Sequence, residues 1–101
     1  MELVTINEGE FYHIIANTSP VVVNFSANWC GRCRESDKLV CEFAEQNPEL
    51  PVYRLDVEES TDVANRFKVA NVPSVVMFKN GTALKKLEEN ITAQTLSDFY
   101  E

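Results

Sequence analysis

The pattern of apolar and polar residues along the chain predicts nine secondary-structure elements. Apolar residues that recur every three or four positions indicate amphipathic helices, and short apolar runs rich in β-branched residues indicate strands. The predicted strands cover residues 2–6, 21–26, 52–57, 74–78 and 83–88. The predicted helices cover residues 8–17, 60–67 and 92–100 and a long stretch that ends near residue 46. The resulting order, βαβαβαββα, predicts an α/β domain.

The same pattern predicts how the strands pair. Strands 21–26 and 74–78 are almost continuously apolar, which is typical of strands covered on both faces of a sheet. Alternating strands and helices favour parallel pairing, whereas Asn80-Gly81 is a hairpin turn that adds an antiparallel strand. We therefore expect a central mixed sheet, with a parallel portion and an antiparallel hairpin, flanked by four helices. A length of 101 residues predicts one domain, residues 1–101.

The candidate chemistry lies between strand 21–26 and the long helix. Cys30-Gly31-Arg32-Cys33 places two thiols at the start of a helix, where a disulfide can open and close with little backbone movement. The unpaired N–H groups and the positive end of the helix dipole favour a thiolate at the first cysteine. This spacing in a βαβ context is typical of a thiol–disulfide redox motif.

The helical periodicity after this motif predicts how buried each cysteine is. An apolar stripe is formed by Leu39, Val40, Phe43 and Ala44. At about 100° per residue, Cys33 falls near this stripe, whereas Cys30 and Cys41 fall well off it. We therefore expect Cys33 to be more buried than Cys30. Cys41 is predicted to be a passive surface thiol. The alternative is that it is a regulatory thiol.

Composition and charge exclude several classes of function. The net charge of −7 argues against nucleic acid and anionic membranes as partners, and no apolar run reaches the roughly 18 residues of a membrane span. The first residues lack the basic and apolar regions of a secretory signal, and three cysteines are too few for a disulfide framework. These features predict a protein of a reducing compartment, the cytoplasm. No metal is expected, because zinc needs four ligands and Cys41 and His13 do not form a second pair of ligands.

Together these features resemble the thioredoxin family along the whole chain. An apolar strand enters Trp29-Cys-x-x-Cys33, a long helix and a βαβ unit follow, Val72-Pro73 opens the next strand, and an Asn-Gly hairpin comes after it. The stretches that carry the resemblance are 21–33 and 72–81. Ser26 and the segment 55–58 are most similar to small cytosolic thioredoxins of eukaryotes.

The resemblance implies the reaction and its partners. The chain would be a protein disulfide reductase that works by dithiol–disulfide exchange in cell redox homeostasis. Cys30 would be the attacking thiolate, and Cys33 would be the resolving thiol that releases the mixed disulfide. No cofactor would be bound, since NADPH would supply electrons through a flavoprotein thioredoxin reductase. The substrates would be proteins with disulfides, and the chain is expected to be a monomer.

The resemblance also implies a substrate-binding surface around the two thiols. Pro73 would be a cis-proline facing the disulfide, and the backbone of Val72 would pair with an extended substrate peptide. Trp29 would form an apolar lip beside the first cysteine, and the dipeptide Gly31-Arg32 between the cysteines would complete the surface.

Two departures from the family pattern concern proton transfer. Asn24 stands where the family has a buried acid that is held to exchange protons with the resolving thiol. Asn24 is either a plain buried hydrogen-bonding residue or a residue that relays protons through water. Without the acid, the proton of the resolving thiol would be carried by water or by another group, or the resolving step would be slower. Arg54, where the family often has lysine, is either a solvated strand residue or a partner of Asp56 or Glu58.

Two further departures concern redox direction and substrate choice. Arg32 replaces the proline usual between the cysteines, and a cation there stabilises the thiolate and makes the couple more oxidising. Glu89 replaces a glycine, so its carboxylate would repel acidic substrates. These departures leave two alternatives open. One is a thiol oxidant or isomerase with a raised potential, and the other is a non-enzymatic binding module that uses Trp29 and the Val72-Pro73 edge. For the two cysteines themselves, a dimer bridged by an iron–sulfur cluster is a separate alternative to redox chemistry.

Overall fold

A computed structural model describes residues 2–101 and contains all nine predicted elements in the predicted order. The strands are β1 (Val4–Ile6), β2 (Val21–Ser26), β3 (Val52–Asp56), β4 (Ser74–Lys79) and β5 (Thr82–Leu87). The helices are α1 (Glu8–Ile15), α2 (Gly31–Gln46), α3 (Thr61–Arg66) and α4 (Ala93–Tyr100). The predicted α/β class is confirmed. Met1, which the predicted domain includes, lies outside the described residues.

The five strands form one mixed sheet in the order β1-β3-β2-β4-β5. Strands β1, β3 and β2 are parallel, and β4 and β5 are antiparallel to their neighbours, as the sequence predicts. In the centre of the sheet, Asn24 of β2 lies between Arg54 of β3 and Val75 of β4. The position that departs from the family pattern is therefore at the middle of the sheet.

Helices cover both faces of the sheet, and β2 shows how the faces are divided. Successive side chains of a strand point to opposite faces. Val21, Val23 and Phe25 pack with α1 and α3, whereas Val22 packs with α2 and α4. Asn24 has the same parity as Val22, so its side chain points towards α2. This alternation brings Asn24 under the helix that begins at the Cys-x-x-Cys motif.

An aromatic cluster fixes the face covered by α1 and α3. The fully buried ring of Phe11 lies edge-on to the rings of Phe25, Phe67 and Phe78, with centroids 5.4–6.1 Å apart. Edge-on pairs of this kind each add about 0.5–1.5 kcal/mol beyond the area they bury. Through these contacts, α1 and the residue after α3 pack against β2 and β4.

The hairpin turn between β4 and β5 also ends helix α1. Asn80 and Gly81 adopt positive φ angles of 53° and 79°, the backbone that an Asn-Gly hairpin turn requires. The N–H of Gly81 donates to the carbonyl of Ile15 at 2.7 Å, and the N–H of Asn80 donates to the carbonyl of Asn17 at 2.8 Å. The helix consequently ends at Ile15, two residues before the predicted boundary.

Candidate active site

The two cysteines of the motif lie at the first turn of α2. Cys30 is the N-cap residue of the helix, and its Sγ accepts a hydrogen bond from the backbone N–H of Cys33 at 3.2 Å. Cys33 is 1% exposed and Cys30 is 6% exposed, so the predicted ranking is confirmed although both thiols are largely buried. Trp29 is 68% exposed beside them, as expected for a lip at the end of a strand. The first turn of α2 thus holds one thiol near the surface and one beneath it.

The environment of Cys33 keeps its thiol protonated. Burial raises the pKa of Cys33 above its ordinary value, and the hydrogen bond with the Cys30 side chain raises it further. Hydrogen bonds with the backbone of Ala27 and the side chain of Ser26 act in the opposite direction but do not outweigh burial. At neutral pH this thiol must therefore lose a proton before it can act as a nucleophile.

The Val72-Pro73 segment faces the cysteines from the other side. The bond between Val72 and Pro73 is cis, as the resemblance implies. The carbonyl oxygen of Val72 lies 3.9 Å from the Sγ of Cys30, and Val72 packs against the cluster formed by Ala27, Cys30 and Cys33. The structure thus places Val72, the candidate partner of a substrate strand, beside the less buried of the two thiols.

A groove of about 410 Å³ runs from the motif along α2. Its lining residues are Arg32, Glu35, Ser36, Leu39, Pro73, Glu88, Glu89, Asn90 and Ile91. Arg32 and Glu89, two of the charged departures from the family pattern, therefore face the same groove. A side chain at Gly31 would meet nothing within 4 Å, so this position is open to an incoming molecule.

Beneath the cysteines lies a polar group that we call the Asp37 cluster: Asn24, Ser26, Asp37 and Arg54. The carboxylate of Asp37 accepts hydrogen bonds from Asn24 Nδ2 at 2.6 Å and from Ser26 Oγ at 3.1 Å. Its third partner is Arg54 Nε at 3.2 Å. The prediction that Asn24 is buried and hydrogen-bonded is confirmed, since the residue is 0% exposed.

The predicted partners of Arg54 are wrong. Arg54 forms its ion pair with Asp37 of α2, and its other hydrogen bonds go to Ser26 and Asn28. The carboxylate of Asp56 instead accepts the backbone N–H of Glu58 at 2.8 Å, which closes the turn after β3. Arg54 is directly opposite Asn24 in the sheet, so its side chain extends under α2, where Asp37 lies.

Asp37 and the part played by Ser26 were not predicted from the sequence. A signal was available in the spacing, because Asp37 follows Cys33 by four residues and so lies one helical turn away on the same side of α2. Ser26 ends β2, two residues after Asn24 and on the same face. An amide at position 24 of the strand together with an acid at position 37 of the facing helix indicates such a cluster.

The prediction that Cys41 lies on the surface is wrong. Cys41 is 8% exposed, and its Sγ lies 4.0 Å from Oε1 of Glu45, one turn later on α2. Its side of the helix faces a cavity of about 690 Å³ near β1, which Leu3 and Asp37 also line. The sheet covers a wider arc of α2 than the apolar stripe alone indicates.

Two general features complete the description. Within residues 2–101, no group of three or more His, Cys, Asp or Glu side chains is arranged so that it could hold a metal ion. Over the same range, no helix combines the length and the apolar character needed to cross a membrane.

Comparison with known proteins gives a consistent result. The family model described as thioredoxin matches residues 2–101. Thioredoxin-1 of Saccharomyces cerevisiae is 41% identical over 78 residues, which cover 77% of this chain and 76% of that protein. A bifunctional thioredoxin reductase/thioredoxin of Mycobacterium leprae is 33% identical over 78 residues, 76% of this chain and 17% of that protein. The crystal structure of oxidised mitochondrial thioredoxin 3 from S. cerevisiae superposes with a TM-score of 0.82 at 26% identity, covering 95% of this chain and 91% of that one.

Proposed function

Because the chain belongs to the thioredoxin family, we propose that Cys30 and Cys33 are its attacking and resolving thiols. The chain is a thiol–disulfide oxidoreductase, and the activity of its family is protein disulfide reduction. The observation that carries the assignment is the difference between the two thiols. Cys30 caps α2 beside the exposed Trp29, whereas Cys33 is 1% exposed beneath it.

The reaction follows from this arrangement in two steps. The Cys30 thiolate attacks one sulfur of a substrate disulfide, which forms a mixed disulfide and releases the other substrate sulfur as a thiolate. Cys33 then loses its proton and attacks the Cys30 sulfur. The Cys30–Cys33 disulfide forms, the bond to the substrate breaks, and the second substrate sulfur leaves as a thiolate. The substrate gains two electrons, and the protein loses them.

The surface around Cys30 is suited to an extended peptide. The backbone of Val72, whose carbonyl is 3.9 Å from Cys30 Sγ, would pair with the substrate strand, and Pro73 would limit its approach. Trp29 would contact apolar substrate side chains. Gly31 leaves space for the peptide, and Arg32 contributes a positive charge at the groove.

The oxidised pair must be returned to the dithiol state. Two thiols carry the electrons, so the chemistry needs no bound cofactor. We propose that NADPH supplies the electrons through a thioredoxin reductase. Support comes from the M. leprae relative, whose name joins both activities in one protein. Disulfide-containing proteins are the substrates on the other side of the cycle.

We also propose that the protein is a cytoplasmic monomer. The edge strand β5 is protected against pairing with a second copy by two lysines. Lys85 Nζ donates to the carbonyls of Phe99 and Glu101, and Lys86 forms an ion pair with Glu88 at 3.5 Å. Three cysteines in 101 residues fit a reducing compartment, although a mitochondrial protein is among the similar structures. Light scattering tests whether the protein is a monomer, and imaging of a tagged chain tests whether it is cytoplasmic.

Reduction of insulin, with dithiothreitol and then with NADPH and a thioredoxin reductase, tests the assignment of the thiols. We expect Cys30→Ser to abolish turnover and Cys33→Ser to accumulate a mixed disulfide with the substrate. Cys41→Ser is the matched control, because it removes the remaining thiol and should leave the rate unchanged. If Cys30→Ser reduces insulin as fast as the unmodified protein, the assignment is wrong.

Trapping of partners on a Cys33→Ser column separates a reductase from a non-enzymatic binding module. A non-enzymatic binding module would keep partners on a Cys33→Ser column after thiol reduction, whereas a reductase would release them. Redox titration against glutathione buffers tests for an oxidant. A potential in the range of ordinary thioredoxins, about −270 mV, would exclude the oxidant and isomerase alternative.

A further inference from the structure

The groove beside the motif has an uneven distribution of charge. The described residues that line it include one cation, Arg32, and three carboxylates, those of Glu35, Glu88 and Glu89. All four residues are exposed. Glu88 forms an ion pair with Lys86 at 3.5 Å. The side chains of Glu35 and Glu89 form no hydrogen bond or ion pair with another described residue, so both carboxylates can bind a cation from outside.

The deeper part of the groove is apolar. Leu39 of α2 and Ile91, which precedes α4, are half-buried and pack against the core between these two helices. The hydroxyl of Ser36 is occupied, because it donates to the carbonyl of Cys33 at 3.2 Å. An apolar surface with carboxylates at its rim suits a side chain that has an aliphatic stem and a cationic end, as lysine and arginine have.

The groove lies where a substrate would continue beyond its reacting cysteine. Pro73 lines the groove and follows Val72, whose carbonyl oxygen is 3.9 Å from Cys30 Sγ. Cys30 is the N-cap of α2, and a helix rises about 1.5 Å per residue, so Glu35 lies about 7.5 Å further along the helix. An extended chain covers this distance in about two residues. The side chain two positions from the substrate cysteine shares the face of that cysteine and therefore reaches the carboxylates.

We propose that this groove is a subsite for a lysine or arginine side chain two residues from the reacting cysteine of a substrate. The aliphatic stem lies over Leu39 and Ile91, and the cationic end pairs with Glu35 and Glu89. These four residues are specificity-determining residues of the reduction. The inference rests on the proposed function, since it names the substrates that Cys30 reduces preferentially.

Arg32 acts at a different point of the groove. It is the second residue of α2, about 4.5 Å nearer to the N-cap than Glu35. Its charge therefore faces the part of the substrate next to the reacting cysteine. The carboxylates outnumber it among the described lining residues, so the groove as a whole attracts cations.

Two peptide disulfides of identical composition test the subsite. Each is a dimer, linked through its cysteine, of a capped peptide with the sequence Lys-Ser-Cys-Ser-Lys or Ser-Lys-Cys-Lys-Ser. The two dimers have the same net charge, so long-range attraction to the protein is the same for both. Because both sides of the cysteine carry lysine, the direction in which the peptide binds does not affect the comparison.

The quantity measured is the rate constant for reduction of each peptide by the dithiol form of the protein, followed by acid quench and chromatography. Each rate constant is divided by that for dithiothreitol, which corrects for the reactivity of the disulfide itself. We call the ratio between the first peptide and the second the positional preference. We expect a positional preference of about three- to tenfold at low salt.

Variants of the carboxylates show whether the groove causes this preference. Glu35→Gln and Glu89→Gln should each lower the positional preference by about two- to threefold, and raising the salt concentration should lower it as well. Glu59→Gln is the matched control. It removes the same charge from an exposed residue in the turn after β3, at the same edge of the sheet as the motif, but Glu59 does not line the groove.

A shorter cation tests the contact with the stem. Diaminobutyrate in place of each lysine keeps the positive charge at pH 7 and shortens the aliphatic stem, so less of it can cover Leu39 and Ile91. The positional preference should then fall by about twofold. An unchanged preference would refute the role of the apolar surface.

The subsite is wrong if the unmodified protein shows no positional preference, or if Glu59→Gln lowers the preference as much as Glu35→Gln and Glu89→Gln do. It is also wrong if glutamate in place of the outer lysines speeds reduction, because Arg32 would then govern the groove. If the unmodified protein reduces neither peptide, the proposed role of Cys30 itself is refuted.

Discussion

Asn24 lies so close to a carboxylate that replacing it with aspartate places two negative charges in one buried site. The distance from Asn24 Nδ2 to Asp37 Oδ1 is 2.6 Å, and Asn24 is 0% exposed. The substitution is nearly isosteric, so it changes charge far more than packing. We therefore expect Asn24→Asp to lower the free energy of unfolding at neutral pH, even though it restores the residue that the family usually has.

The magnitude follows from the separation of the charges. Two unit charges about 4 Å apart repel by about 4 kcal/mol at an effective dielectric constant of about 20. Arg54, which lies 3.2 Å from Asp37, offsets part of this repulsion. We expect a loss of about 2–4 kcal/mol at pH 7 after this offset, a large share of the roughly 5–15 kcal/mol of a typical domain.

The loss should depend on pH in a defined direction. A proton shared by the two carboxyl groups relieves the repulsion, so the folded variant binds a proton more tightly than the unfolded chain does. Its stability is then retained in acid, near the unfolded carboxyl pKa of about 3.9, and is lost as the pH rises towards neutrality. The difference from the unmodified protein should fall below about 1 kcal/mol at about pH 4.

Urea unfolding, followed by circular dichroism between about pH 4 and pH 8, measures this effect. The double variant Asn24→Asp with Asp37→Asn is the control, since it carries a single carboxylate and should lose most of the penalty at pH 7. A penalty that is constant over this range, or one that the double variant retains in full, would show that repulsion with Asp37 is not its cause.

Three further predictions concern charge at other positions. Arg32→Ala should make the disulfide couple more reducing by about 10–30 mV, because it removes a cation that stabilises thiolates, and titration against glutathione buffers measures the shift. Glu89→Lys should raise kcat/KM for an acidic peptide disulfide by about threefold at low salt and leave a neutral peptide unchanged; an equal gain for both would contradict charge selection. The phenol of Tyr100 donates to Glu49 at 2.7 Å, which raises the pKa of Tyr100 above its ordinary value and lowers that of Glu49. The stabilisation from this bond should be lost as the pH rises through the Tyr100 pKa, and Glu49→Gln, followed by NMR of labelled tyrosine, should return that pKa towards its usual value.

The arrangement of the elements was predictable because local patterns and the sheet agree. The apolar run of β2, the Asn80-Gly81 turn and the stripe of α2 each specify one element, and together they predict the mixed sheet that is observed. The residues at which helices and strands end were harder to predict from the sequence. Helix α1 ends at Ile15 because its last carbonyl accepts a hydrogen bond from Gly81, a residue distant in sequence.

The site was predictable only where its residues are adjacent in sequence. The Cys-x-x-Cys motif identifies both thiols, and helical periodicity ranks their burial. For Arg54 the sequence predicts a partner nearby along the chain, Asp56 or Glu58, whereas its partner Asp37 comes from the facing helix. Cys41 was placed at the surface because the apolar stripe underestimates the arc of α2 that the sheet covers. Contacts between helix and sheet depend on register and packing that a linear pattern does not contain.

The position of Asp37 has a consequence for the relation between chemistry and stability in this protein. A carboxylate at position 24 would be fully enclosed by the sheet, and a fully buried charge costs several kcal/mol unless it is well paired. Asp37 is 28% exposed and is paired with Arg54, so the helix carries the acid at a smaller desolvation cost. Enzymes often trade fold stability for a strained or buried functional group. Here the carboxylate lies on a helix and is partly exposed, so the central strand β2 carries no buried charge.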